Sequence, residues 1–198
     1  GQAKILAAEI RLRRFTAAMT ELTLDSNGVF GELYPSGNVK EADKFAAQSK
    51  PFFAALKESR IAVLSLRGTG MGPGACRMLA TSLSAAIEDI NLSNCGLTGA
   101  TEDWRGNWEN IDSDMAGFTA LCSVLGMVRV VTLADCGLGP ASAVELAKVF
   151  RDETAAVERV ILKSNKITGS YYDREERERK YDCDLSGFIA FCEALPAA

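Results

Sequence analysis

The chain has 198 residues, of which 47% are hydrophobic and 24% charged, and a formal net charge of −4. That composition excludes a disordered tail, and the acidic balance supplies no basic surface for following phosphates, so nucleic acid is not an expected partner. Histidine is absent, which removes the Ser-His-Asp and Cys-His nucleophile arrangements and the usual histidine metal motifs. No apolar run reaches the roughly 18 residues of a membrane span. The first residues mix Lys4, Glu9, Arg11, Arg13 and Arg14 with aliphatics, unlike the unbroken apolar stretch of a signal peptide. There is no initiator Met, and the chain is expected to be part of a longer one. Six cysteines fall largely at positions that read as buried, so reduced thiols acting as small hydrophobes, and a cytoplasmic location, are expected.

In chain order, residues 4–18 have the look of a helix. Phe15 stands four residues before Met19, as Leu83 stands four before Ile87. Met19 opens a pattern with apolar residues at relative positions 0, 3, 5 and 10 and a small or polar residue at 8. It runs Met19, Leu22, Leu24, Asn27 and Val29. The pattern returns at Ile61, Leu64, Leu66, Thr69 and Met71, and again at Ile87, Ile90, Leu92, Cys95 and Leu97. Val128, Val131, Leu133, Cys136 and Leu138 form the fourth copy, and Val157, Val160, Leu162, Asn165 and Ile167 the fifth. Positions 3 and 5 place two side chains on one face of a short strand. The residue at 8 sits where the chain leaves the strand, and a polar group there can satisfy stranded backbone groups. Helical spacing follows each turn, as in Met78, Leu79 and Leu83; Met115, Phe118, Leu121 and Leu125; Val144, Leu146, Val149 and Phe150; and Leu185, Phe188, Phe191 and Leu195. A unit so small cannot bury its own apolar face, so the units must stack.

The spacing resembles the leucine-rich repeat family, whose signature is L-x-x-L-x-L-x-x-N/C-x-L. Segments such as Gly139-Pro140-Ala141-Ser142-Ala143 are similar to the turn into the helix of its ribonuclease-inhibitor-like class. The resemblance implies one α/β domain over residues 1–198: a right-handed solenoid of strand–helix units with a parallel sheet on its concave face. The repeats start at 19, 61, 87, 128 and 157, and residues 1–18 complete a preceding one. The family mostly offers surfaces to protein partners, so no catalytic residue, cofactor or metal is implied. The expected function is non-enzymatic protein interaction or scaffolding. The same solenoid is used by Ran GTPase-activating proteins, by several actin-regulating proteins and by innate-immune receptors, which leaves a GTPase-activating or an actin or immune regulatory role as the alternative.

The starts set periods of 42, 26, 41 and 29 residues, so long and short repeats alternate. Seventy residues separate copies three and five, and Asp112, Gly117, Phe118, Ala120 and Cys122 match Asp182, Gly187, Phe188, Ala190 and Cys192 at that offset. The extra residues lie between turn and helix, at about 30–43, 98–113 and 168–183. These insertions are expected to align as a ridge along one rim. They hold every Trp and Tyr in the chain: Tyr34, Trp104, Trp108, Tyr171, Tyr172 and Tyr181. Aromatics with a polar tip are enriched at binding hot spots, which makes these six candidate partner contacts, with packing of the insertions as the alternative. The pairs Asp173–Arg177, Glu175–Arg179 and Glu176–Lys180 have i,i+4 spacing with the acid first, and predict a short solvated helix.

Residues between the template leucines face away from the core, and among them Arg67 and Arg159 are the candidate contacts of the sheet. Gly70-Met71-Gly72-Pro73-Gly74-Ala75 imitates a dinucleotide loop. Met71, however, occupies an apolar repeat position and Gly137-Leu138-Gly139-Pro140 repeats the turn, so a repeat feature is the expected reading. Acidic pairs at Glu102/Asp103, Asp112/Asp114 and Asp182/Asp184 lack calcium-loop spacing. Asp112 and Asp182 are expected to cap the helices that follow them. Neither end of the chain has a polar cap, so self-association or adjoining repeats are expected to cover the ends.

Overall fold

The apolar pairs of the repeat become short strands, each closed by a turn in left-handed backbone. The computed structural model describes residues 19–103, 107–173 and 178–195; the expected helix of residues 4–18, Trp104 and half of the charge ladder (Glu175, Glu176 and Arg177) lie outside them. In chain order come β1 (Glu21–Thr23), β2 (Glu32–Leu33), β3 (Val39–Glu41), a 3-10 turn (Ala46–Ser49), α1 (Lys50–Lys57), β4 (Val63–Ser65) and α2 (Pro73–Ala80). Then follow β5 (Asp89–Asn91), β6 (Thr101–Glu102), β7 (Trp108–Glu109), α3 (Ala116–Leu125), β8 (Val130–Thr132), α4 (Pro140–Phe150), β9 (Arg159–Ile161), β10 (Tyr171–Asp173), β11 (Glu178–Lys180) and α5 (Ser186–Ala194).

Five strands form one parallel sheet in the order β1-β4-β5-β8-β9, so each repeat pairs only with its neighbours in sequence. The register is that of the repeat itself. Leu22, Leu64, Ile90, Val131 and Val160 stand opposite one another, and the first four are buried. Five residues at relative position 7 (Ser26, Gly68, Asn94, Asp135 and Ser164) have φ between 53° and 62°, which small polar residues and glycine tolerate best.

In the last three repeats the residue at relative position 8 ties the turn to the repeat before it, whereas Asn27 and Thr69 bond carbonyls of their own repeat. The thiols of Cys95 and Cys136 donate to the carbonyls of Leu66 and Leu92, at 3.5 and 3.2 Å. Asn165 donates through Nδ2 to Leu133 O at 2.7 Å, and its Oδ1 accepts the N–H groups of Cys136 and Leu138. Without these side chains the turn would leave buried carbonyls unpaired.

The helices cover one face of the sheet, and a continuous apolar cluster runs from Leu22 through Leu64, Ile90 and Val131 to Leu146 and Val149. Phe30, Phe52 and Phe53 fill the first unit, with ring centroids 5.2 to 5.8 Å apart. All six cysteines are free. Burial raises the thiol pKa of Cys76, Cys95, Cys122 and Cys136, with Cys122 pushed up to about 12, so these four act as packing groups rather than nucleophiles.

The last unit departs from expectation. Leu185, Phe188 and Leu195 have core spacing yet are exposed, as is Cys192. Phe191 does pack inward, edge-on to Phe150 at 5.2 Å. The helix α5 covers α4, but among the described residues nothing covers the outer side of α5.

Candidate functional site

The three insertions are β-hairpins: β2–β3, β6–β7 and β10–β11. The third corrects the helix expected from the acid-first charge pairs. Tyr171 pairs with Lys180 and Asp173 with Glu178 across antiparallel strands, and Lys180 forms its ion pair with Glu178 on its own strand. Spacing of i,i+4 stabilises a helix only where nothing stronger decides the backbone. Here the matching 98–113 insertion is also a hairpin, with β6–β7 seventy residues before β10–β11.

The first two hairpins touch. Glu102 is buried, and its Oε2 accepts the N–H of Val39 at 2.8 Å. Burial raises the Glu102 pKa, against the pull of that N–H, and the nearby charges of Asp135 and Asp103 raise it further. At the outer edge of β2, Glu32 lies between Lys40 and Lys44. Their hydrogen bonds hold its carboxyl down at about 2.

The aromatic candidates separate by role. Trp108 is only 8% exposed, so the expected partner contact is corrected to a packing one. Its indole N–H donates to Asp135 at 2.9 Å. Its ring lies over Gly137, where a Cβ would come within 2.9 Å of it. Gly137 also has φ 62°, so the next repeat's turn is shaped to receive this tryptophan. Tyr34 is half-buried in the turn of the first hairpin, where its carbonyl accepts the Gly37 N–H. Tyr171 and Tyr181 are 51% and 68% exposed. Tyr172 follows Tyr171 on β10, opposite Arg179 in register.

The outward face of the sheet has its own order. Glu21, Val63, Asp89, Val130 and Arg159 align across it. Just beyond the end of β1, Asp25 accepts Ser65 Oγ at 2.6 Å and the Arg67 N–H at 3.0 Å. Acidic residues thus mark the β1 side, and Arg159 and Lys163 the β9 side. Arg67 and Arg159 are both exposed, but they lie three strands apart, about 14 Å, and form no common cluster.

The carboxylates expected to cap their own helices do something else. Asp112 accepts the N–H groups of Gly139, Ala141 and Ser142 at 3.0 to 3.2 Å, and the Ser142 hydroxyl as well. It caps α4 of the next repeat, not α3. Asp43 does the same for α2, accepting from Gly72, Gly74 and Ala75 at 2.5 to 3.0 Å. The loop resembling a dinucleotide site therefore already spends its N–H groups on an internal anion. Asp114 and Asp184 take the local work, accepting from Ala116 and Ser186, and the Ser186 contacts hold Asp184 below the usual carboxylate range.

No family model matches the chain, and no curated protein matches it in sequence. Among solved structures it is similar to the tropomodulin C-terminal domain of Caenorhabditis elegans, with a TM-score of 0.53 over 98% of this chain and 92% of that one, at 14% identity. The fold is leucine-rich-repeat-like. At that identity the likeness is one of fold alone. Within this leucine-rich-repeat-like fold, the feature missed at the sequence level is the cross-repeat capping. The signal for it was present: Asp43 and Asp112 stand at matching places in two insertions, each followed by a Gly-Pro turn 29 and 27 residues later. Among the described residues no helix is long and apolar enough to cross a membrane.

Proposed function

We propose that the chain is a non-enzymatic protein-interaction or scaffold module, a right-handed solenoid of the ribonuclease-inhibitor-like class that works in the cytoplasm without cofactor or metal. The observation that carries this reading is the exposure of Tyr171 on the third hairpin, in the same repeat as the basic Arg159 and Lys163. Tyrosines combine a large apolar body with a polar tip and lose little entropy on contact, which suits them to anchor a partner. The sheet face, with Arg67 and Arg159, supplies charge that orients the partner rather than most of the affinity.

The likeness to a tropomodulin domain favours an actin-related partner over a GTPase. Co-sedimentation with filamentous actin, and anisotropy with labelled monomeric actin, test this. Binding to one form is expected. Replacing Tyr171 with Ala is expected to weaken it at least tenfold, the loss typical of a hot-spot side chain. If neither form of actin binds, the actin-related reading fails. If affinity capture from the source cell is unchanged by Tyr171→Ala and by the pair Arg67→Ala and Arg159→Ala, neither surface is the binding site.

A further inference from the structure

The two boundaries at which a long repeat meets the following short one share a design. The long repeat contributes an aspartate in left-handed backbone, Asp43 (φ 60°) or Asp112 (φ 56°). The short repeat contributes a helix that opens Gly72-Pro73 or Gly139-Pro140. Proline at the first helical position has no N–H, so the donors at the glycine and at the two residues after the proline converge on one carboxylate. The glycine leaves that carboxylate its space. A Cβ at Gly72 would stand 2.7 Å from the Asp43 oxygen, and one at Gly139 would stand 2.5 Å from that of Asp112. Ile111 flanks the second site, with its Cγ2 within 2.5 Å of the same point.

A third aspartate repeats the first half of this arrangement. Asp182 lies seventy residues beyond Asp112 and has φ 51°. Its N–H donates to Ser170 Oγ at 3.1 Å, but among the described residues its exposed carboxylate meets no donor. The neighbouring apolar residues are likewise uncovered among the described residues. Tyr181 holds the place of Ile111 and is exposed. Phe188 is 43% exposed where its counterpart Phe118 is fully buried, and Leu195 is exposed where Leu125 is buried. Among the described residues β9 is the last strand of the sheet, paired on one side only.

We infer that the Asp182 face is a seat for one more repeat of the short kind, carried on the same polypeptide, whose helix opens Gly-Pro and gives its first free N–H groups to Asp182. The inference rests on the reading that this chain's exposed surfaces meet protein. A second copy of the chain does not fit the seat. Its two Gly-Pro helix starts are already held by its own Asp43 and Asp112, and its first described repeat is a long one whose turn runs Gly28-Val29-Phe30-Gly31. A short unit cannot bury its own apolar face, so it reaches the seat only when tethered.

The test appends a second copy of residues 128–156 so that its first valine replaces Ala198, reproducing the 41-residue interval between repeats three and four. The added unit is expected to resist trypsin and to raise the melting temperature. The amides of its copied Gly139, Ala141 and Ser142 are expected to be protected from hydrogen exchange. Asp182→Ala is expected to lower the melting temperature of the extended chain by about 6–9 °C more than that of the 198-residue chain. The backbone cost of alanine at Asp182 is common to both chains and cancels. A second extension with residues 61–86, which carries Gly72-Pro73, guards against a failure peculiar to one graft. The inference is overturned if both added units are digested as tails, or if Asp182→Ala costs both chains the same. It is also overturned if sedimentation shows the 198-residue chain dimerising and Asp182→Ala dissolving the dimer. Docked extensions with no partner binding would leave this seat intact and sink the functional reading. Actin binding with undocked extensions would do the reverse.

Discussion

Replacing Asp112 with alanine probes the bond between adjacent repeats at its most polar point. Three backbone donors lose their acceptor, and two of them, on Gly139 and Ser142, are buried. An unsatisfied buried donor costs about 1–3 kcal/mol. The Ala141 N–H is exposed and regains water, and solvent entering the helix end recovers part of the remainder. Loss of the cap is therefore worth about 2–3 kcal/mol, or about 6–9 °C in melting temperature for a chain of this length. Alanine in left-handed backbone adds about 1 kcal/mol that has nothing to do with capping. Asp182→Ala in the same chain carries that backbone cost without the lost donors, since its φ is 51° and its carboxylate meets no donor among the described residues. The difference between the two variants, read by calorimetry or urea titration, isolates the cap. Asp112→Asn keeps an acceptor and a residue that tolerates φ above zero, and is expected to recover most of the loss. Equal stabilities for the two alanine variants, or an asparagine variant as weak as Asp112→Ala, would refute cross-repeat capping.

Gly139→Ala has an ordinary φ of −105° but drives a methyl into the Asp112 carboxylate, and should cost about 1–3 kcal/mol. Combining it with Asp112→Ala should cost less than the sum in a double-mutant cycle, because the clash and the cap share one atom. Trp108→Phe keeps the ring over Gly137 and removes only the N–H to Asp135, an expected loss of about 1 kcal/mol, against about 3–5 kcal/mol for Trp108→Ala; urea midpoints separate the two. Glu102 has its pKa raised in the folded state by burial, so folding favours its protonated form. Its charged form therefore weighs against the fold at neutral pH, and that burden is absent below the unfolded value of 4.5. Glu102→Gln, which still accepts the Val39 N–H, is expected to raise the melting temperature at pH 7, with the difference closing as pH falls towards 4.

The sheet was legible from the sequence because period-two burial leaves a residue-by-residue trace. The row Leu22, Leu64, Ile90, Val131 and Val160 is both the repeat and the register. The place of the insertions was legible too, since extra length between turn and helix has one point of exit. Their internal structure was not. Residues 171–180 carry helical charge spacing, yet the hairpin's cross-strand pairing overrides that weak preference. Trp108 read as a contact because composition cannot tell a tryptophan aimed at solvent from one laid over a neighbour's glycine. Asp112 read as a cap for its own helix because adjacency in sequence is visible, whereas the Gly-Pro start 27 residues away becomes adjacent only after stacking. The exposure of Phe188 was hidden for a related reason: the periodicity of a helix records which face is apolar, not whether anything lies against it.

The order of the five-stranded sheet, in which every strand pairs only with the strands of adjacent repeats, has a mechanical consequence, with the Glu102–Val39 contact as the one tie among the described residues that skips a repeat. Tension applied between the first and last strands runs through each boundary in series, so no single rupture releases the whole fold. Pulled from its ends, the chain should lengthen in steps of one repeat, with the boundaries tied by Asp43 and Asp112 among the last to part, and should wind back in the same increments when the load is removed.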